Sequence, residues 1–180
     1  MPVDGGYTFE ALPWMAIKPA ASTNLCSNPS FEVSTAGWTA SNAALTRDNG
    51  GVFGAHLMYM LASAQNGLMY TSVAALASAT PIAASSWVNA TSPLVFLRVY
   101  NAALGTLVAS IAHPGDSAWY RLELNTATID TSAHILAVVD TRPSGWNNVY
   151  IDGVQFESGV TRATTYIDGD QDGCVWNGAP

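Results

Sequence analysis

Apolar and polar residues alternate along several short runs of the chain. In Val95–Asn101, residues Val95, Leu97 and Val99 fall on one side, and Phe96, Arg98 and Tyr100 on the other. In residues 119–124, Tyr120, Leu122 and Leu124 oppose Trp119, Arg121 and Glu123. A period of two marks a strand with one face on a core. Short runs, several of them alternating in this way, predict strands over residues 38–46, 55–61, 68–73, 82–90, 94–101, 119–124, 133–140 and 149–157. Turn chemistry separates them, at Asp48-Asn49-Gly50-Gly51, Asn66-Gly67, Pro114-Gly115-Asp116 and Pro143-Ser144-Gly145. Residues 73–80 have some helical propensity, but the run is brief and flanked by strands. Many short strands at close intervals predict an all-β fold, a β-sandwich of the jelly-roll type.

The two ends of the chain depart from this pattern. In residues 1–23, Pro2, Pro13 and Pro19 break any helix longer than two turns, and Tyr7, Phe9, Leu12, Trp14, Met15 and Ile17 follow no clear period. That segment reads as an extended N-terminal arm, draped over its own domain or over a neighbouring subunit. Tyr7, Phe9 and Trp14 are its candidate assembly contacts. Residues 24–160 form the predicted jelly roll, and residues 161–180 a short irregular tail packed on it. Cys26 and Cys174 lie near opposite ends, so they make no CxxC site. They are either a staple between terminal strands or two independent buried thiols.

Charge narrows the partners. Six Lys+Arg against thirteen Asp+Glu give a net charge of −7, which lacks the clustered cations that nucleic acid requires. Hydrophobic residues make up 49% and charged ones 11%, a composition that excludes an intrinsically disordered chain. No uninterrupted apolar run is long enough to predict a membrane span, and the first residues have no basic and apolar regions of a secretory signal.

Candidate chemistry is sparse. His56, His113 and His134 have no second ligand at metal spacing, so they read as solvated or hydrogen-bonded imidazoles. Nucleophile-elbow, zinc-protease and phosphate-loop motifs are absent. Glu10, Glu32, Glu123 and Glu157 offer carboxylates for glycoside hydrolysis, but nothing in the spacing pairs any two of them. The chain therefore reads as non-enzymatic. Asp168-Gly169-Asp170-Gln171-Asp172-Gly173 matches the first half of a calcium loop, yet Ala179 stands where the bidentate acid belongs, which favours a solvated acidic turn.

Several segments carry a family resemblance. Asn24-Leu25-Cys26-Ser27-Asn28-Pro29-Ser30-Phe31-Glu32 with Gly37-Trp38 resembles the opening strand of jelly-roll carbohydrate-binding modules of the kind found in xylanases. Residues 82–90 (IAASSWVNA) resemble that family's middle strand, Trp119-Tyr120-Arg121-Leu122 its W-x-R-L strand, and residues 149–157 (VYIDGVQFE) its closing strand. The ending from Tyr166 to Gly178 is similar to that of such modules in tailed-bacteriophage minor tail proteins, with Asp172 in place of the usual Pro. The resemblance implies a virion structural protein whose partners are other virion proteins or copies of itself, with host surface glycan as a further partner. Two other classes stay open: a capsid decoration protein, and a carbohydrate-binding module for cell-wall polysaccharide. It also implies no required cofactor except a structural calcium between Glu32 and Asp152; the alternative is that both acids cap strand ends.

Alternation assigns the contact residues. With Val88, Val95, Leu97, Val99, Tyr120, Leu122 and Leu124 inward, the opposite face carries Trp87, Phe96, Arg98, Tyr100, Trp119, Arg121 and Glu123. Aromatic planes stack on sugar rings and also anchor protein interfaces, so this face suits either partner. Trp38 reads as core, and Trp146 as an exposed loop aromatic. For the arm, burial of six apolar side chains at about 1.5–3 kcal/mol each is comparable to the ordering cost of about 1–2 kcal/mol per residue. A second subunit's wall would tip that balance. Deletion of residues 1–20 is expected to leave the melting temperature nearly unchanged while preventing incorporation into oligomers or particles, as read by calorimetry and light scattering.

Overall fold

A computed structural model describes residues 23–101, 105–143 and 147–166, together with the backbone of the short strand Val175–Trp176. The arm residues Tyr7, Phe9 and Trp14, the loop residue Trp146, Glu10, Cys174 and the acidic turn at 168–173 lie outside these. The described chain is all-β, a sandwich of two antiparallel five-stranded sheets. The strands are β1 (Thr23–Asn24), β2 (Thr39–Ser41), β3 (Ala43–Asn49), β4 (His56–Ala62), β5 (Gly67–Val73), β6 (Pro81–Ala90), β7 (Val95–Asn101), β8 (Thr106–Ala112), β9 (Trp119–Ala127), β10 (His134–Asp140), β11 (Asn147–Ser158) and β12 (Val175–Trp176). Sheet I has the order β2-β5-β10-β7-β8, and sheet II the order β3-β4-β11-β6-β9. β1 and β12 pair in parallel as a separate two-stranded sheet.

The alternating apolar residues meet between the sheets. Met69 and Val73 of β5, Leu97 and Val99 of β7 and Leu136 of β10 face Met58, Val88, Ile151 and Phe156 of sheet II in one continuous buried cluster. Phe31 and Trp38, from the segment before β2, close it with ring centroids 5.5 Å apart.

β11 sets the architecture of sheet II. It runs for twelve residues, but β4 pairs only with its first half, from Asn147 to Ile151. The opening segment takes over where β4 stops. Leu25 N–H donates to the Phe156 carbonyl at 2.8 Å, and Val154 N–H to the Pro29 carbonyl at 2.9 Å. Asn24, fully buried, completes the repair. Its Nδ2 donates to Val154 O at 2.8 Å, and its Oδ1 accepts from Phe156 N–H and Cys26 N–H, each at 3.1 Å. Buried backbone groups without partners are costly, so these contacts hold the chain's start against its last long strand.

Several expectations change. The predicted strand at 38–46 is two strands in different sheets, split at Asn42, whose φ of 49° is left-handed. Asn tolerates that region, and the reversal carries the chain from sheet I to sheet II. β8 went unpredicted because its face is mixed: Leu107 is exposed and Val108 half-buried beside a register shift opposite Val99–Tyr100. Residues 74–80 form a loop without helix. Tyr120 lies near the edge of the sandwich, 36% exposed, with its hydroxyl donating to Asp116 at 2.7 Å. Cys26 is fully buried and forms no disulfide among the described residues, which do not include Cys174. Asn24→Ala strands two donors and one acceptor in the interior. It is expected to destabilise the domain by on the order of 3 kcal/mol in denaturant unfolding, with the strand content of the folded form retained.

Candidate functional site

The residues predicted to share one contact face divide between two. β7 belongs to sheet I, and β6 and β9 to sheet II, so Phe96, Arg98 and Tyr100 point away from Trp87, Trp119 and Arg121 across the whole sandwich. Alternation assigns a side chain to one side of its own strand, and only sheet membership decides which strands share a surface.

On sheet I the outward residues of β10, Ile135, Ala137 and Val139, are buried at 0–4% exposure, and Leu68, Tyr70 and Tyr100 pack against them. The registers place Tyr70, Ala137, Arg98 and Ser110 in one row across four strands, and Leu68, Val139 and Phe96 in the next. Arg98 lies over the Phe96 ring with its guanidinium carbon 4.5 Å from the centroid. Its Nη1 donates to the Tyr100 hydroxyl and its Nε to Ser110 Oγ, each at 3.3 Å. The guanidinium is thus held over one aromatic ring and tied to another. The surface that results is half-exposed rings on an apolar floor, with Arg98 as the charged member of these rows. It can offer ring faces to the C–H side of a sugar and donors to its hydroxyls. Tyr70 escaped sequence reasoning because β5 pairs with β10 only in the folded chain.

On sheet II, Trp87 is half-buried. Its ring meets Phe53 edge-on at 6.3 Å, Phe53 stacks on Tyr166 at 4.1 Å, and the Trp87 Nε1 has no partner among the described residues. Arg121 acts inward as well: Nη1 bridges to Glu123 at 2.9 Å, while Nη2 donates to Ser85 Oγ at 3.0 Å and to the Thr164 carbonyl. It clamps the segment after β11 to the sheet. Trp119 is half-exposed, in the same row as Tyr150 and Tyr59.

Glu32 and Asp152 are brought to one loop, residues 50–56. Glu32 accepts from His56 N–H at 2.9 Å and Ala55 N–H at 3.1 Å. Asp152, fully buried, accepts from Phe53 N–H at 2.8 Å and Gly153 N–H at 2.7 Å. A Cβ at Gly54, whose φ is +73°, would sit 2.5 Å from the Glu32 carboxylate, so the loop closes this tightly only with glycine. Partial burial pushes the Glu32 carboxyl up, but the His56 and Ala55 amides, together with the His56 ring, outweigh it and hold the group below its ordinary value. Asp152 moves the other way. Burial, with a smaller contribution from the Glu32 charge, raises it to about 7 despite the amides of Phe53, Gly153 and Val52.

The histidines split. His56 Nδ1 lies 2.8 Å from Arg47 Nη2 and 3.3 Å from Glu32 Oε2, and His113 Nδ1 accepts from Gly115 N–H at 2.8 Å, as expected for hydrogen-bonded rings. His134 departs from that expectation: it is fully buried near Phe156, and neither ring nitrogen has a partner among the described residues. Burial depresses its basicity, which keeps the ring neutral. The acids proposed as glycosidase candidates are spoken for separately: Glu123 by Arg121, Glu157 by Thr164 N–H at 2.9 Å and Thr164 Oγ1 at 2.7 Å, and Glu32 by its loop.

The sequence matches no known family model and no curated protein. Solved structures do share the fold. The Family 16 Carbohydrate Binding Module-2 superposes with a TM-score of 0.59 at 17% identity, over 74% of this chain and 99% of that one. The CBM22-1 xylan-binding domain of Paenibacillus barcinonensis Xyn10C gives 0.57 at 16% identity, over 82% and 100%. The enzymatically active domain of tailspike protein 4 from bacteriophage CBA120 gives 0.60 at 13% identity over 75% of this chain, which spans 21% of that domain. At these identities the likeness is one of fold: the chain has the jelly-roll architecture of carbohydrate-binding modules.

Proposed function

We propose that the chain is a non-enzymatic structural component of a tailed-phage virion, similar to minor tail proteins, whose jelly roll contacts host surface glycan through the outer face of sheet I. The observation that carries the glycan reading is the group of Tyr70, Arg98 and Tyr100, from two adjacent rows, laid over the buried outward side of β10. Two features of the relatives support it: an isolated module named for xylan binding matches over its full length, and a phage tailspike domain contains the same fold. The similarity of the ending from Tyr166 to Gly178 to minor tail proteins supports the virion setting. The separate engagement of Glu32, Glu123 and Glu157 supports a non-catalytic role.

A divalent cation, calcium by its preference for oxygen donors, completes the proposal. Glu32 and Asp152 meet at one loop, close enough for the Glu32 charge to act on Asp152, and no cationic side chain bonds to the Asp152 carboxylate among the described residues. These two acids would hold the ion, with main-chain oxygens and water filling the remaining positions. Its work would be structural, offsetting the cost of a buried carboxylate beside a second acid.

On a glycan array the purified protein is expected to bind neutral polysaccharides, and Tyr100→Ala or Arg98→Ala to weaken that binding at least about tenfold, or 1.4 kcal/mol. Absence of binding by a protein that still enters particles would leave a decoration protein instead. The cation has its own test. In chelator, Asp152 carries a folded-state value near 7 against an ordinary 3.8, so the folded state binds its proton more tightly. Stability is therefore lost as pH rises from about 4 through 7, with a full cost on the order of 4 kcal/mol. Glu32, lowered, contributes stability that is present above its ordinary value of 4.5 and disappears only in acid, below that window. Melting temperature in chelator should fall between pH 5 and 8, and Asp152→Asn should flatten that slope. Millimolar calcium at pH 7.5 should raise the melting temperature of the native protein but not that of Glu32→Gln. A melting curve indifferent to calcium disposes of the ion and leaves the pH slope standing.

A further inference from the structure

The outer face of sheet II has a closed half and an open half. In the closed half, Asp152, Gln155, Glu157 and Ser85 are buried, with Phe53, Thr164 and Tyr166 bonded or packed around them. In the open half, the registers align Thr46, Tyr59, Tyr150, Asn89 and Trp119 in one row across β3, β4, β11, β6 and β9. Thr46 is exposed and the other four are half-exposed.

The chemistry of this row is uniform. Aromatic residues come from three of its five strands, and every other polar group in it is a hydroxyl or an amide. Tyr59 and Tyr150 lie on neighbouring strands with ring centroids 5.3 Å apart and planes inclined by 31°. Trp119 stands two strands beyond Tyr150, roughly 10 Å away at the usual strand spacing. The amides between and beside them are oriented by the protein. Tyr59 donates its hydroxyl to Asn148 Oδ1 at 2.7 Å, which leaves the Asn148 Nδ2 donors for a partner. Asn89 Nδ2 donates to the Ser117 carbonyl at 2.8 Å, which leaves its Oδ1 to accept. In the neighbouring row Asp48 and Arg121 stand on the two edge strands with the buried Asp152 between them, and from the other side Arg142 Nη2 donates to the Asn148 carbonyl at 3.4 Å.

We infer that this row is a second polysaccharide-contact platform, on the side of the sandwich opposite the sheet I face, taking an uncharged glycan chain laid across the strands. Spaced rings present flat surfaces to successive sugars, while preset amides meet hydroxyls of either sense. A protein partner would gain little from Thr46, Asn89 and Asn148, whereas a glycan uses each of them. Because the platforms face opposite ways, one domain bridges two glycan chains, and engagement of both multiplies its hold on a wall or particle surface. The inference rests on the reading of the jelly roll as a glycan-contacting module.

The test uses the full chain with soluble xylan and β-1,4-galactan as probes. Oxidative footprinting of the unaltered protein should show Tyr59, Tyr150 and Trp119 protected by the polymer, together with Tyr70 and Tyr100. Polymer solutions should scatter light as the protein cross-links them. Tyr150→Ala/Trp119→Ala and Tyr70→Ala/Tyr100→Ala should each weaken binding about tenfold and abolish the scattering, while circular dichroism stays native. Protection confined to Tyr70 and Tyr100 would overturn the second platform and leave the glycan reading intact. Scattering that persists in both single-face variants would overturn it too, since bridging would then come from self-association. Failure of the unaltered protein to bind either polymer overturns both.

Discussion

A twelve-residue strand in the middle of a sheet needs partners along both edges, and β11 has a neighbouring strand on one edge for only half its length. The residues from Asn24 to Pro29 fill the gap, using backbone groups where they can and the Asn24 side chain where they cannot. Everything functional hangs from that repair. It places Phe31 under the core and Glu32 against the loop that Asp152 also holds. It also fixes the bulge between Asp152 and Gln155, where Gly153 takes a φ of +53° with the Phe53 ring 2.6 Å from where a Cβ would stand.

The two outer faces are built by different means. On sheet I, large side chains from β5 and β7 lie over a strand of aliphatic residues, and a single arginine is pinned by a ring beneath it and a hydroxyl beside it. On sheet II, the segment after β11 folds back over half the face, held by Arg121 and Glu157, and leaves the other half open. The closed half contains the acids, whose burial is tolerable because backbone amides and hydroxyls meet them. The open half keeps aromatic and amide groups at the surface.

Local pattern sufficed for much of this. Short apolar runs marked β4 to β7 and β9 to β11, and alternation gave the inward Val88 of β6, Val95, Leu97 and Val99 of β7, and Leu122 and Leu124 of β9, since period two is a property of the strand itself. Turn residues marked their ends. The pairing of Glu32 with Asp152 came from family likeness in two short motifs, and the fold brings both to one loop. Where local signals were mixed they misled: Asn42 breaks a run that reads as one strand, and Tyr120 sits near an edge where alternation pointed it inward.

The amino-acid sequence by itself determined the fold class, the strands with a clean alternation, and which side chains of each strand are apolar. Only the tertiary structure decided that Phe96, Arg98 and Tyr100 belong to one surface and Trp87, Trp119 and Arg121 to another, that Tyr70 joins the first and Tyr59 and Tyr150 join Trp119 on the second, and that Arg121 and Trp87 turn to structural work. The reason is physical. Side-chain direction follows from backbone geometry within a few residues, whereas a surface is made by strands distant in sequence, chosen by which edges find hydrogen-bonding partners when the sandwich closes.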